Sequence, residues 1–541
     1  MKRREHLRNL ALLPLAGTVF PFQSAFGSTT DSPIFPDLKD EPQQNIFRSI
    51  GVEPIINCRG TFTIIGGSIE RPEVRAAMEA ASQNFVQYDE LADGIGRRLA
   101  ELTGAEWGMV SAGCAAAMKH VTAACVTGGN PEKLVRIPDL TGFEKTEVVI
   151  PRHSRNSYDH AIRNIGVKVI TVDTMEELEK ALNPKTALIY VMAYGSSQPG
   201  QPMSTEAIAK IAKPKNIPVL VDAAAEVLTI PNVHLQQGAT IVAYSGGKAI
   251  CGPQCAGLLL GQKDILMSAW QASSPHHGPG RDNKVGREEM IGMMAAVETW
   301  KKRDHAAEWK TWLLWLNNIS KKINTIPGVT SSIFEPTELS NKSPVLNIMW
   351  DSDKLNLTGE DLAEITARTK PRIAIGSETK DNKTSVQITT GQMQPGNDKV
   401  VTDRIFEILT EKRVAKSDTM KAPAAILTGR WEANIEFFSS KGKHMLNLEQ
   451  DGNWIQGSHK GDFTVRDMVG TIEGDKIILK SVERGDADNV PFIFSGTMSG
   501  DSFSGEIFMG EYRTAKFTAT RYKYKSKRER IVVPSGPPLA T

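Results

Sequence analysis

Between Trp107 and Leu260 short apolar runs alternate with helix-patterned segments, and two of those runs lead into residues that a buried strand cannot use for packing. Ile217-Pro-Val-Leu-Val-Asp222 reads as a short buried parallel strand with a carboxylate at its carboxyl end, where open α/β sheets present groups to ligands. Thr240 to Tyr244 is the next apolar run, and Ser245-Gly-Gly-Lys248 follows it on a tight loop leading to Leu258-Leu-Leu260. Such alternation predicts a mainly parallel sheet covered by helices on both faces. A lone Ser-Gly-Gly-Lys reads as a surface lysine in a glycine-rich hairpin. Asp222, one crossover unit upstream, overturns that reading.

A lysine amine held among small residues suits an aldimine to pyridoxal phosphate, from which a substrate amine displaces it. Glycines on both sides let the backbone approach ring and phosphate, and a carboxylate at the ring nitrogen keeps that nitrogen protonated. The strand-Asp, strand-Lys order is accompanied by Ile55-Ile-Asn-Cys-Arg-Gly-Thr61, Leu102-Thr-Gly-Ala-Glu106, His153 with Tyr158-Asp-His-Ala161, Val221-Asp-Ala-Ala224 and Gly252-Pro-Gln254. With these motifs the chain from about Phe47 to Leu409 resembles the SelA-like branch of the fold-type I pyridoxal-phosphate enzymes, which includes selenocysteine synthase and D-glucosaminate-6-phosphate ammonia-lyase.

The resemblance implies a large cofactor-binding domain over residues 46–330 and a small α+β domain over 331–412. It implies Lys248 and Asp222 as catalytic residues, with Ser245 beside them. The helix start after Trp107-Gly-Met-Val-Ser111 becomes the phosphate cradle, with Ser111, Gly113 and Cys114 nearest. Backbone N–H groups and the helix dipole favour an anion there; on that stretch alone, Ser111 as a plain helix cap is the competing reading. His153 and Ala224 are expected on the two faces of the ring. Substrate contacts are expected from the loop Ser273 to Arg287, through Arg281 and Lys284, and from Arg372 at a strand start. A homodimer or larger homo-oligomer follows from the family's habit of building each site from two subunits.

The expected activity is α,β-elimination on an amino acid or amino sugar acid, with Lys248 as the base. Selenium transfer to seryl-tRNA and transamination are the enzymatic alternatives, and a secreted binding protein on a retired enzyme fold is the non-enzymatic one. Cys251 and Cys255 stand where relatives often carry an arginine and a small polar residue, which weakens the case for a phosphorylated sugar acid. Lys and Arg number 64 against 62 Asp and Glu, a net charge of +2, so no overall field recruits nucleic acid.

Two or three folded units are expected of 541 residues. Residues 1–27 read as an export signal of twin-arginine type, with Lys2-Arg3-Arg4, an apolar run from Leu10 to Phe22 and small residues at Ala25-Phe-Gly27. That predicts an exported, periplasmic protein. Pro14 and Pro21 interrupt the run, so no membrane-spanning helix is expected. Residues 28–45 and 413–426 read as linkers. Five cysteines between Cys58 and Cys255 show no metal spacing, so no metal site is assigned and Cys251 and Cys255 are taken as buried packing residues. Trp309, Trp312, Leu313, Leu316, Ile319 and Ile323 form a helical stripe expected to face core or dimer. From Leu427 to Tyr522 alternating runs punctuated by Asp451-Gly452, Gly474-Asp475 and Gly500-Asp501 predict about eight strands in an up-and-down barrel or sandwich. A basic, proline-containing tail, 523–541, ends the chain.

Overall fold

The computed structural model describes residues 45–415, 419–482, 490–524, 529–533 and 535–537. The expected export signal, and parts of both linkers and the tail, lie outside the described residues. Residues up to Pro54 form a unit of their own, whose described part is the short helix Ile46–Ser49, capped by Asn45. Among the described residues no helix is long and apolar enough to cross a membrane.

The main sheet has seven strands: β1 Trp107–Ser111, β2 Glu147–Pro151, β3 Lys168–Val172, β4 Thr186–Met192, β5 Val219–Asp222, β6 Ile241–Ser245 and β7 Gly257–Gly261. Their spatial order is β1-β7-β6-β5-β4-β2-β3. Pairs from β3 through β6 are parallel, whereas β7 runs antiparallel to both β6 and β1. The sheet is therefore mixed at one edge. A two-sided cover explains why β1, β5 and β7 are buried at every position.

The helices carry the spacing that buries one stripe. Tyr88–Thr103 buries Ile95, Leu99 and Leu102; Gln87 accepts from the Glu90 N–H at its start, and left-handed Gly104 ends it. Ser204 caps Thr205–Ala212 by accepting from the Ala207 N–H, as expected.

A second apolar cluster gathers Leu316, Ile319, Ile323, Leu346, Ile348, Val386, Ile388 and Ile405. Its four-stranded antiparallel sheet runs Gly376–Lys380, Lys383–Thr389, Val345–Asp351, Thr330–Phe334. The strand expected to start at Arg372 is only Ile373–Ala374, which lies outside this sheet and pairs in parallel with Ile56–Asn57. Pro371 has no N–H with which to extend the pairing.

From Gly429–Glu436 to Thr514–Arg521, eight consecutive antiparallel strands close into a barrel, the last pairing with the first. Gly452, Gly474 and Gly500 open its two-residue turns with φ of 56°, 57° and 59°. Glycine meets that left-handed demand without strain, matching the turn to the strand twist. Trp431, Phe494, Phe503 and Phe517 fill the interior, so it is a packed core and not a lumen.

Candidate functional site

Asp222 is the last residue of β5, and Lys248 follows β6 on the turn that leads into β7. The turn is held by backbone bonds from the Gly246 N–H to Ala256 O (2.8 Å), from Gly252 to Gly246 O (2.9 Å) and from Cys251 to Lys248 O (3.0 Å). A Cβ on Gly247 would lie 2.4 Å from Gln254 Cα, and one on Gly246 would lie 2.7 Å from Ala256 O. Only glycine fits at either position. The lysine is placed by a backbone that tolerates no side chain before it.

Asp222 is 7% exposed. The Tyr190 hydroxyl donates to its Oδ2 (2.9 Å), and the Ala224 N–H (3.0 Å) and Cys114 thiol (3.5 Å) donate to its Oδ1. Asn156 Nδ2 donates in turn to the Tyr190 oxygen at 3.1 Å. Burial, and then the Asp222 charge, push the Tyr190 hydroxyl well above its ordinary pKa. The Cys114 thiol is raised by burial first and Asp222 second, while the nearby Lys248 charge opposes. Cys114, Asp222 and Lys248 thus share one neighbourhood.

The helix Gly113–Thr127 begins beside them with Ala112 at the cap and no side-chain cap bond. Ser111 does not cap it. Its hydroxyl donates to Gly113 O at 2.9 Å, so the first-turn N–H groups are not spent on a side-chain cap. Gly113 has φ of 83°, and a Cβ on facing Gly257 would lie 2.5 Å from its carbonyl carbon. His153 lies just past β2, which stops at Pro151, in the 3-10 turn Arg152–Ser154. Its Nε2 is buried without a hydrogen-bond partner, and burial lowers its pKa.

These features fit pyridoxal phosphate. Among the described residues no cation pairs with Asp222, and a buried carboxylate without one is costly; a protonated ring nitrogen supplies that cation. The uncapped glycine-lined helix start offers N–H groups to a phosphate, and Lys248 supplies the amine.

Residues 151–286 match the aminotransferase class-V family. The chain is 29% identical over 327 residues to a D-glucosaminate-6-phosphate ammonia lyase of Salmonella typhimurium, over 59% of its own length and 85% of the relative's. A 5'-C-glycyluridine monooxygenase-decarboxylase of a Streptomyces species is 27% identical, over 53% and 72%. An L-seryl-tRNA(Sec) selenium transferase of Moorella thermoacetica is 24% identical, over 48% and 57%. A solved D-glucosaminate-6-phosphate ammonia-lyase superposes with a TM-score of 0.59 at 26% identity, covering 68% of this chain and 98% of that one. The core thus has the fold-type I architecture, and its likeness to the class-V family over residues 151–286 points to pyridoxal phosphate.

A cleft of about 640 Å³ opens beside the lysine loop, lined by Ala249 and Cys251 from that loop and Ala225 from the segment after Asp222. Arg281, Lys284 and Arg372 are not among its lining residues. Arg281 and Lys284 are exposed on their loop, and Arg372 Nε donates to Ala367 O at 2.7 Å. The structure does not bring these three into the cleft. Trp309 and Trp312, expected to face core or dimer, line it instead, because the helix His305–Ile323 buries only Leu316, Ile319 and Ile323. Of the two paired cysteines, Cys251 is buried and Cys255 exposed, and neither is in a disulfide.

Sequence reasoning missed Tyr190 and the cluster Arg71, Arg303 and Glu308. Tyr190 had a signal: a hydroxyl in the middle of a wholly apolar strand needs a buried partner. Glu308 accepts from Arg303 (2.6 Å) and Arg71 (2.7 Å), and Arg303 also reaches Ala249 O at 3.4 Å. Arg71 lies more than 200 residues from the other two in sequence, and the cluster carries no local pattern. Among the described residues no group of three or more His, Cys, Asp or Glu side chains is arranged to hold a metal ion.

Proposed function

We propose that this protein is a pyridoxal-phosphate-dependent lyase that releases ammonia from an amino acid or amino sugar acid by α,β-elimination, with Lys248 carrying the cofactor. The observation that supports it most directly is a buried carboxylate, Asp222, with no cation partner among the described residues, beside a lysine on a glycine-only turn. The name of the Salmonella relative supports the lyase assignment over the alternatives.

When bound, the cofactor supplies an electron sink for the carbanion left as the α-proton departs. Asp222 holds a proton on the ring nitrogen; Tyr190 and the Ala224 N–H fix its carboxylate plane. The start of helix Gly113–Thr127 holds the phosphate, with Ser111, Gly113 and Cys114 around it. His153 and Ala224 cover the two ring faces. Lys248 Nζ, once displaced by the substrate amine, takes the α-proton as general base. The near-neutral charge argues against a tRNA substrate.

A homodimer belongs to this proposal. Phe62, Ile64, Ile69 and Phe85, on the segments that flank the helix Pro72–Ser82, are 49%, 78%, 56% and 96% exposed, and a second copy would cover such side chains.

The test is an absorbance spectrum of the purified protein with Lys248→Ala alongside. The wild type should show a visible cofactor band that borohydride removes, and release ammonia and a keto acid from its substrate. Lys248→Ala should show neither. A borohydride-sensitive band that persists in the mutant would refute the role of Lys248.

A further inference from the structure

The cleft beside the lysine loop is larger than a small amino acid needs. Its 640 Å³ lies in the range of sites that enclose drug-sized ligands, so a substrate of serine's size would leave most of it to water. Its walls have two chemical characters.

One wall is aromatic. Trp300 is locked by its indole N–H donating to Leu228 O at 2.8 Å and by the Arg303 guanidinium 4.8 Å from its ring centre. Trp309 is locked by donation to Glu335 at 2.6 Å. Trp312 stands 6.0 Å from Trp309 at an interplanar angle of 56°. Its indole N–H has no hydrogen-bond partner among the described residues. Three indoles on one cleft, two of them fixed, form a preorganised surface for a flat body.

The lining also carries cations without a carboxylate partner. The one carboxylate in the lining, Glu308, is already taken by Arg71 and Arg303. Arg59 and Lys342 line the same cleft and have no carboxylate partner among the described residues; the Arg59 guanidinium lies over the Phe62 ring at 4.9 Å. Thr389 Oγ1 is buried without a hydrogen-bond partner and its residue lines the same cleft. A buried hydroxyl and two unpaired cations call for an acceptor-rich anion.

We propose that this cleft receives the side chain of the amino-acid substrate and selects one in which a ring-sized flat body ends in an anionic group. This rests on the reading of Lys248 above, since Ala249 and Ala225 place the cleft next to the reacting end. The ring lies against Trp312 and Trp309, and the anion meets Arg59, Lys342 and Thr389.

Four L-amino acids separate the two contributions: O-phosphotyrosine carries ring and anion, tyrosine the ring alone, O-phosphoserine the anion alone, and serine neither. Dissociation constants are measured by calorimetry on the cofactor-loaded protein, and independently from perturbation of its visible band. O-Phosphotyrosine should bind tightest, with the ring contributing about fivefold and the phosphate about tenfold. Trp312→Ala should erase the ring increment and keep the phosphate increment; Trp312→Phe should restore most of it. Lys342→Gln should do the reverse, and its half-exposed side chain makes it a safe variant for folding. Four constants within twofold of one another, or increments unchanged in both variants, would overturn the proposal. So would calorimetric binding that leaves the band unmoved, which would make the cleft a separate site. A band that survives Lys248→Ala refutes the Lys248 reading instead, whatever the order of the four ligands.

Discussion

The barrel carries a titratable chain in its core, and it makes the protein's acid stability predictable. His444 and His459 are 2% and 0% exposed. His444 Nδ1 lies 2.8 Å from His459 Nε2, and His459 Nδ1 lies 3.0 Å from the Ser481 hydroxyl. His444 Nε2 is 3.5 Å from an Asp462 carboxylate oxygen, which favours a proton on that nitrogen. His444 Nδ1 must then accept from His459 Nε2–H, and His459 Nδ1 accepts from Ser481. Neither ring can take a second proton without losing a bond. Burial, then the charges of His444 and Arg466, lower the His459 pKa from 6.5 to about 3, and burial also lowers His444. Because the folded value lies below the unfolded one, the unfolded state binds the extra proton. Stability is therefore full above pH 6.5 and falls as pH drops towards 3, by about 1.4 kcal/mol per pH unit. At pH 4.5 the loss from His459 alone is about 3 kcal/mol. Urea midpoints for barrel peptides, read by pulsed hydrogen exchange and mass spectrometry at several pH values, should show this slope. His459→Phe should unfold more easily at pH 8, since His444 and Ser481 lose a partner, yet its slope between pH 6.5 and 3 should be shallower by about one proton. Parallel slopes in variant and wild type would refute the argument.

Three further outcomes are expected. Asp159 is fully buried and accepts from Arg155 at 2.5 Å and Arg163 at 2.9 Å, so Asp159→Asn should destabilise the protein by about 3 kcal/mol, read as a lower urea midpoint. Gly247→Ala forces a Cβ to within 2.4 Å of Gln254 Cα; the fold should survive a cost of about 1–3 kcal/mol, while cofactor retention on dialysis falls sharply. Asn57 accepts from the N–H groups of Arg59 and Gly60, both at 3.0 Å, and donates to Gly60 O at 2.9 Å, so Asn57→Ala should raise KM for the substrate more than it lowers thermal stability, measured by steady-state kinetics and melting.

What the sequence made legible was local. Gly-Asp and Asp-Gly pairs at even spacing announce the barrel because left-handed turns need glycine, and no distant contact changes that demand. Lys248 and Asp222 stand out because a charged residue at the end of an apolar strand has no packing role. The helical stripe from Trp309 to Ile323 was legible in part: Leu316, Ile319 and Ile323 are core, but which part of a helix meets core and which lines a cleft depends on neighbours some 80 residues downstream, such as Thr389. Arg281, Lys284 and Arg372 were chosen for charge on segments that relatives use, and charge alone does not aim a side chain. The tethers of the lysine loop were out of reach because each joins residues far apart in the chain.

Those tethers give the segment from Ile56 to Arg71 a mechanical role. At one end Ile56–Asn57 pairs with Ile373–Ala374, and the Thr389 N–H donates to Cys58 O at 2.8 Å. At the other end the Ser68 N–H donates to Gly247 O at 3.0 Å and the Arg71 N–H to Cys251 O at 3.3 Å, the residues on either side of Lys248. A Cβ on Gly67 would lie 2.7 Å from Gly247 O, so the strap runs in direct contact with the turn. Between its ends it carries Arg59 into the substrate cleft. Any displacement of the small antiparallel sheet relative to β6 and β7 must therefore pull on the lysine turn and on a cleft cation together. Its sixteen residues are hydrogen-bonded among themselves mainly in the Asn57 loop and the turn from Gly60 to Gly67, and such local bonds are cheap to shift, whereas the glycine-only turn that the strap grips is not. The compliance of the site lies in the strap, and its rigidity in the backbone around Lys248.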